Sequence, residues 1–128
     1  MASRLLLDTC ALLWWFGDPG KLSVAAWQAI EESDLLVSAV SGYEIALKIN
    51  LGKLELGMEL RELLAAVKAY PGMRPLPVTM EHAAMAGALP FTHKDPFDRI
   101  IVAQAKVEGV KVVTSDAVFG EYGVEVVW

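Results

Sequence analysis

The sequence predicts an α/β fold: a three-layer α/β/α sandwich around a central, mainly parallel sheet. Short apolar runs alternate with longer segments of helical length along the whole chain. Strands that are joined through helices pair in parallel by right-handed crossovers, and their helices cover both faces of the sheet. The chain of 128 residues has the size of one hydrophobic core, so we expect a single domain over residues 1–128.

The first element is predicted to be a buried strand. "RLLLD" is a short apolar run that stops at a carboxylate, which indicates a parallel strand ending at about Leu7. Residues 9–17 have helical length and end at a glycine, and Ser23 is a plausible N-cap for a second helix.

A second strand and its helix follow. Residues 35–41 are apolar and β-branched, and Ser41 can cap a helix that runs to Gly52. Ser41 and Glu44 also match the S-x-x-E capping box. We therefore expect Glu44 in the first turn of this helix.

The middle of the chain is predicted to contain two helices with an extended segment between them. Residues 58–70 are strongly helical in pattern and propensity, and Pro71 ends them. Two prolines in "MRPLPV" (residues 73–78) favour an edge strand or an extended linker. Thr79 is a plausible cap for the next helix.

The last third is predicted to hold one long helix between strands. Asp95 occupies an N-cap position, Pro96 the first helical position, and the helix continues to Gly109. Residues 110–116 are another apolar run stopped by an acid, and residues 124–128 form a final strand.

The amino-acid composition argues against several classes of protein. No apolar run approaches the roughly 20 residues that cross a bilayer, and Asp8 interrupts the apolar start that a signal peptide would need. The single cysteine, Cys10, can form neither an internal disulfide nor a zinc site at the usual spacing. We expect a cytoplasmic protein without membrane contact. The net charge of -5 argues against nucleic-acid binding by bulk electrostatics.

Four carboxylates follow strands or begin helices in the predicted topology. In open α/β sheets the binding crevice lies outside the carboxyl ends of the strands, so these side chains should gather at one edge. They are Asp8, Glu44, Asp98 and Asp116.

Each acid taken alone has a structural explanation, since acids cap helices or favour the helix dipole. Several carboxylates close together repel one another unless protons or a cation neutralise them. Hard oxygen ligands suit Mg²⁺ or Mn²⁺. A metal held by all four acids would support hydrolysis of a phosphodiester.

Four sequence blocks carry a family resemblance. "LLLDTCALLWW", "VSAVSGYEIALKINLGKLEL", "HKDPFDRIIVAQA" and "VVTSDAVFGEY" resemble the blocks of PIN-domain ribonucleases, especially VapC-type toxins of bacterial and archaeal toxin–antitoxin pairs. The resemblance implies a PIN-like fold and a Mg²⁺-dependent endoribonuclease that cleaves RNA and is inhibited by a cognate antitoxin. It also implies that Asp8, Glu44, Asp98 and Asp116 are the catalytic and metal-binding quartet, with Asp95 as an accessory acid at the rim. The leading hypothesis is such a toxin, acting as a homodimer.

Several alternatives stay open at this point. The chain could be a non-catalytic regulatory or partner-binding α/β domain with carboxylates at its strand ends. Arg99 could contact a substrate phosphate or form a surface salt bridge. Thr9 could orient a neighbouring acid or cap a helix. His93 lies near the site, although a lone histidine in a loop is more often solvated or capping, and Lys48 is placed for an i,i+4 ion pair with Glu44.

Overall fold

The computed structural model describes residues 3–128 and has a five-stranded, entirely parallel sheet in the order β3-β2-β1-β4-β5. Its strands are β1 (Arg4–Leu7), β2 (Asp34–Ser38), β3 (Met73–Leu76), β4 (Lys111–Val113) and β5 (Val126–Val127). Its α-helices are α1 (Thr9–Gly17), α2 (Val24–Glu32), α3 (Ala39–Asn50), α4 (Leu60–Ala69), α5 (Met80–Ala88), α6 (Pro96–Glu108) and α7 (Val118–Glu121). The predicted α/β fold is confirmed.

The sheet separates two hydrophobic clusters, as the alternation of side chains along a strand requires. In β1, Leu5 and Leu7 face the cluster that includes residues of α1, α2 and α4, whereas Leu6 faces the cluster built largely on α6. The central strand β1 is therefore buried on both faces. That burial explains its unbroken apolar sequence.

Several predicted helix starts are confirmed by side-chain caps. Ser23 Oγ accepts a hydrogen bond from the Ala26 N–H, and Thr79 Oγ1 accepts one from the His82 N–H. Asp95 Oδ1 accepts from the backbone N–H groups of the two residues that follow Pro96. Each bond satisfies a donor that would otherwise lack a partner in the first turn.

The predicted cap of α3 is wrong. The strand ends at Ser38 rather than Ser41, and Ser38 Oγ accepts from the Val40 N–H. The reason is the length of the sheet pairing: the ladder between β2 and β3 extends to Ser38 opposite Leu76, and the chain leaves the sheet there. Ser41 consequently lies inside α3, and no capping box joins it to Glu44.

The order of the strands creates a topological switch point. The chain moves outward from β1 through β2 to β3, which is an edge strand as its prolines suggested, and then returns to place β4 on the other side of β1. A crevice opens at the carboxyl ends of strands where the direction reverses. No helix within residues 3–128 is long and apolar enough to cross a membrane.

Candidate active site

The acids predicted from the sequence lie around the carboxyl edge of the sheet, on four different segments. Asp8 follows β1 and is the N-cap of α1, while Asp116 follows β4. Asp98 is the third residue of α6. Glu44 lies in the second turn of α3, one turn deeper than predicted, because the helix begins at Ala39.

Asp8 is the acid beside the centre of the sheet, and it is only 7% exposed. Its Oδ1 accepts a hydrogen bond from the Ala11 N–H at 2.8 Å. Burial raises the pKa of Asp8 to about 6; hydrogen bonds from Thr114 and Ala11 lower it in part, and the charges of Asp98 and Glu44 raise it further. The three acids are thus close enough for their charges to interact.

Glu44 is 5% exposed, and both of its carboxylate oxygens are engaged. The Thr9 hydroxyl donates to Oε1 at 2.7 Å, and the Lys48 ammonium forms an ion pair with Oε2. The Ser41 hydroxyl lies 2.9 Å from that of Thr9 and extends the network. Thr9 therefore orients an acid rather than capping a helix, and the predicted i,i+4 pair of Lys48 with Glu44 is confirmed. The hydrogen bond with Glu44 raises the pKa of Lys48.

Asp98, Asp116 and His93 form the tightest cluster of metal-binding side chains within residues 3–128. One ligand atom from each lies within 4.8 Å of the others. The ligand atoms of Asp8 and Glu44 lie outside this group. The cluster is partly open, since Asp116 is exposed and the side chains of His93 and Asp98 are 25% and 21% exposed.

His93 is the site residue that sequence reasoning underweighted. Its Nε2 lies 2.8 Å from Asp98 Oδ2. This contact raises the pKa of His93, and the charges of Asp98, Asp116 and Asp95 act in the same direction. Burial raises the pKa of Asp98, and the bond from His93 opposes that change. The signal available in the sequence was the position of His93 five residues before Asp98, in the loop leading into the same helix.

Asp95 and Asp98 occupy the same helix start but have different environments. Asp95 Oδ1 accepts from the N–H groups of Phe97 and Asp98 at 2.8 and 3.2 Å, as expected for a cap. The negative charge of Asp95 also contributes to the raised pKa of Asp98. Asp95 therefore caps α6 and acts on the cluster through its charge.

Arg99 is neither a phosphate contact nor a surface salt bridge. It is 6% exposed, and its guanidinium donates to backbone carbonyls at the end of α5 and in the loop that follows. The acceptors are the carbonyl oxygens of Ala86, Gly87, Leu89, Pro90 and His93. Arg99 thereby holds the loop that carries His93 against the start of α6.

The donor set fits a small divalent cation. Carboxylate oxygens, which come here from four segments, are the ligands that Mg²⁺ and Mn²⁺ sites use. Burial raises the pKa of Asp8 and of Asp98, because their ionised carboxylates are poorly solvated and would be stabilised by a nearby positive charge. A bound cation would supply that charge, so the site is a candidate divalent-metal centre.

Comparisons with known proteins agree on one family. Residues 5–125 match the family model described as PIN domain. The chain is 37% identical over 116 residues to Ribonuclease VapC22 of Mycobacterium tuberculosis, covering 89% of this chain and 88% of that protein.

Solved structures show the same fold at low sequence identity. The VapBC2 structure of Rickettsia felis, bound to a DNA fragment from its promoter, has a TM-score of 0.71 at 12% identity, covering 96% of each chain. VapC20 of Mycobacterium tuberculosis, described as a toxin that cleaves the sarcin-ricin loop, has a TM-score of 0.66 at 18% identity, covering 94% of this chain and 95% of that one.

Proposed function

Because the chain belongs to the PIN-domain family, we propose that it is a metal-dependent endoribonuclease, the toxin of a toxin–antitoxin pair. The relative named as a ribonuclease is 37% identical over most of both chains. The observation that carries the proposal is the convergence of buried and partly buried acids at the sheet edge, where burial has raised the pKa of Asp8 and Asp98. A domain that only binds a partner does not require carboxylates whose negative charge is not neutralised, so the non-catalytic alternative is not favoured.

The proposed catalytic and metal-binding residues are Asp8, Glu44, Asp98 and Asp116. Mg²⁺ is the proposed cofactor, with Mn²⁺ as an alternative, because oxygen donors dominate the site. Asp8 and Asp98 are the proposed direct ligands. Glu44 and Asp116 contact the ion directly or through water.

A divalent ion held by these acids would supply positive charge for the phosphate in the transition state and would lower the pKa of a bound water. The side chains of this protein position the reacting groups around that charge. Thr9 and Lys48 fix the Glu44 carboxylate, so it enters the reaction already positioned. One carboxylate of the site accepts the proton of the attacking water. The resulting hydroxide would form a new bond to phosphorus in line with the leaving oxygen, the P–O bond to that oxygen would break, and the leaving oxygen would take up a proton from solvent, so that one RNA phosphodiester bond is hydrolysed.

The proposed partners are an RNA substrate, a cognate antitoxin and a second copy of the chain. An open apolar groove of about 390 Å³ between α3, α4 and the edge strand β3 supports a protein partner. It is lined by residues such as Leu12, Ile45, Leu63 and Val67. We further propose that residues 1–128 form one domain and that the protein works in the cytoplasm.

The test is RNA cleavage by the purified protein with and without Mg²⁺ or Mn²⁺. Wild type is compared with Asp8→Asn and Asp98→Asn, and with Asp18→Asn as a matched control at an exposed aspartate. We expect metal-dependent cleavage by wild type and the control, and almost none by the two site variants. Cleavage in excess EDTA, or equal cleavage by all four proteins, would falsify the proposal.

A further inference from the structure

A single imidazole lies among the carboxylates of the site. We propose that His93 is itself a ligand of the divalent cation, together with Asp98 and Asp116, and that its nitrogen makes the site bind Mn²⁺ more tightly than Mg²⁺ when the two ions are compared at equal concentration. This inference rests on the proposed metal site but goes beyond its four acids. It assigns His93 a contact with the ion rather than with Asp98 alone.

The positions of the three ligand atoms suit one ion. They come from three separate segments, namely the loop before α6, the first turn of α6 and the segment after β4, yet all lie within 4.8 Å of one another. At ion–ligand distances of about 2.0–2.1 Å, neighbouring ligands of a six-coordinate ion are about 3 Å apart and opposite ligands are about 4.1 Å apart. The 2.8 Å between His93 Nε2 and Asp98 Oδ2 therefore matches two neighbouring ligands.

The backbone of His93 is held in place independently of the acids. Its N–H donates to the Tyr122 hydroxyl at 2.8 Å, and its carbonyl accepts from Arg99 Nη1 at 3.1 Å. Both Tyr122 and Arg99 also donate to the Pro90 carbonyl. A ligand whose backbone is fixed in this way loses little conformational freedom when it binds an ion.

Asp98 and Asp116 each have a carboxylate oxygen that is available to an ion. Asp116 uses Oδ1 to accept from the Val118 N–H, which leaves Oδ2 for an ion. Within residues 3–128, the one side-chain hydrogen bond of the Asp98 carboxylate is to His93. An ion placed between His93 and Asp98 would replace that single bond with two stronger contacts.

The metal preference follows from the nature of the donors. Mg²⁺ binds oxygen ligands almost exclusively. Mn²⁺ shares these carboxylate ligands but, as a first-row transition-metal ion, it accepts an imidazole nitrogen more readily than Mg²⁺ does. A site with one imidazole and several carboxylates should thus bind Mn²⁺ more tightly than Mg²⁺.

The decisive measurement is pulsed electron paramagnetic resonance of the Mn²⁺-loaded protein, prepared once with ordinary and once with ¹⁵N-labelled histidine. We expect a hyperfine coupling from a directly bound histidine nitrogen that changes with the isotope. The chain has two histidines, and the other one, His82, contacts Glu108. Glu108 lies ten residues beyond Asp98 on α6, about 15 Å along the helix. His82 is therefore too far from Asp98 to bind the same ion, and the nitrogen coupling is assigned to His93.

Variants give a second readout through metal affinity. His93→Gln should weaken Mn²⁺ binding by about tenfold or more and Mg²⁺ binding less. Lys94→Gln, at the exposed neighbouring position, should leave both affinities unchanged.

Three results would overturn the inference: no binding of Mn²⁺, a Mn²⁺ spectrum without a bound histidine nitrogen, or equal Mn²⁺ affinities for wild type and His93→Gln. The second result, together with metal-dependent RNA cleavage, would show that His93 only orients Asp98 and would leave the proposed function standing. Nitrogen coupling without any RNA cleavage would instead contradict the proposed function and support this inference.

Discussion

Replacing Asp8 with asparagine should stabilise the metal-free protein at neutral pH while removing its activity. Asp8 is buried, and its pKa is raised from 3.8 to about 6, first of all by burial. The ionised form therefore costs stability in the folded protein. Asparagine removes the charge but keeps a side-chain oxygen that can accept the hydrogen bond from the Ala11 N–H, so the cap of α1 is retained.

The size of the gain follows from the two pKa values. A rise from 3.8 to about 6 corresponds to roughly 3 kcal/mol, at about 1.4 kcal/mol for each pKa unit. Because the pKa is higher in the folded state, protonation of Asp8 stabilises the fold. That stabilisation is complete below pH 3.8 and is lost as the pH rises through about 6. Burial of the asparagine amide offsets part of the gain, so we expect an increase of about 1–3 kcal/mol at about pH 8.

Urea unfolding in EDTA measures this directly. The gain for Asp8→Asn should be smaller by about 1.4 kcal/mol at about pH 5, where the folded wild type is mostly protonated, while the cost of burying the amide stays the same. Asp18→Asn, at an exposed position, should change the free energy of unfolding by less than about 0.5 kcal/mol. Added Mn²⁺ at about 100 times its dissociation constant should stabilise wild type by about 2.7 kcal/mol and the variant less. An Asp8→Asn protein less stable than wild type at pH 8, or equally stabilised at both pH values, would refute the reasoning.

Four further substitutions test other residues in and around the site. Asp98→Asn should lower RNA cleavage by about 100-fold or more. Asp95→Asn keeps a good N-cap residue, so its RNA cleavage should stay within about tenfold of wild type. A cleavage assay in which Asp95→Asn is the inactive variant and Asp98→Asn the active one would exchange the roles of the two acids. Arg99→Met should lower the free energy of unfolding by about 3 kcal/mol or more, because buried carbonyls lose their donors, and an unchanged urea midpoint would contradict this. Ser38→Ala should cost about 1 kcal/mol by loss of the α3 cap, and no change in thermal unfolding would argue against that cap.

Much of the fold was predictable because its signals are local. Apolar runs that stop at an acid mark β1 and β4, and the caps Ser23, Thr79 and Asp95 each depend on two or three neighbouring residues. The position of the four acids at one edge of the sheet was predictable for a different reason. Parallel strands all present their carboxyl ends at the same sheet edge.

The cap of α3 was not predictable from local sequence, because both Ser38 and Ser41 can cap a helix and the S-x-x-E spacing to Glu44 favours Ser41. Pairing with the neighbouring strands favours Ser38, since the ladder between β2 and β3 ends at Ser38 opposite Leu76. Ser41 and Glu44 then share α3 with Lys48, and the contacts with Thr9 become possible.

The roles of His93 and Arg99 depend on segments that are distant in the chain or lie in loops without regular structure. His93 is held by Tyr122, 29 residues later, and Arg99 binds carbonyls that reach back to Ala86 at the end of α5. No periodicity or spacing rule encodes such contacts. The sequence alone therefore determined the layers, the sheet edge and the identity of the acids there, since these follow from short-range patterns. The tertiary packing of α5, α6 and the chain after β4 decided that the imidazole of His93 lies beside those acids. The same packing decided that the guanidinium of Arg99 supports the loop instead of facing a substrate.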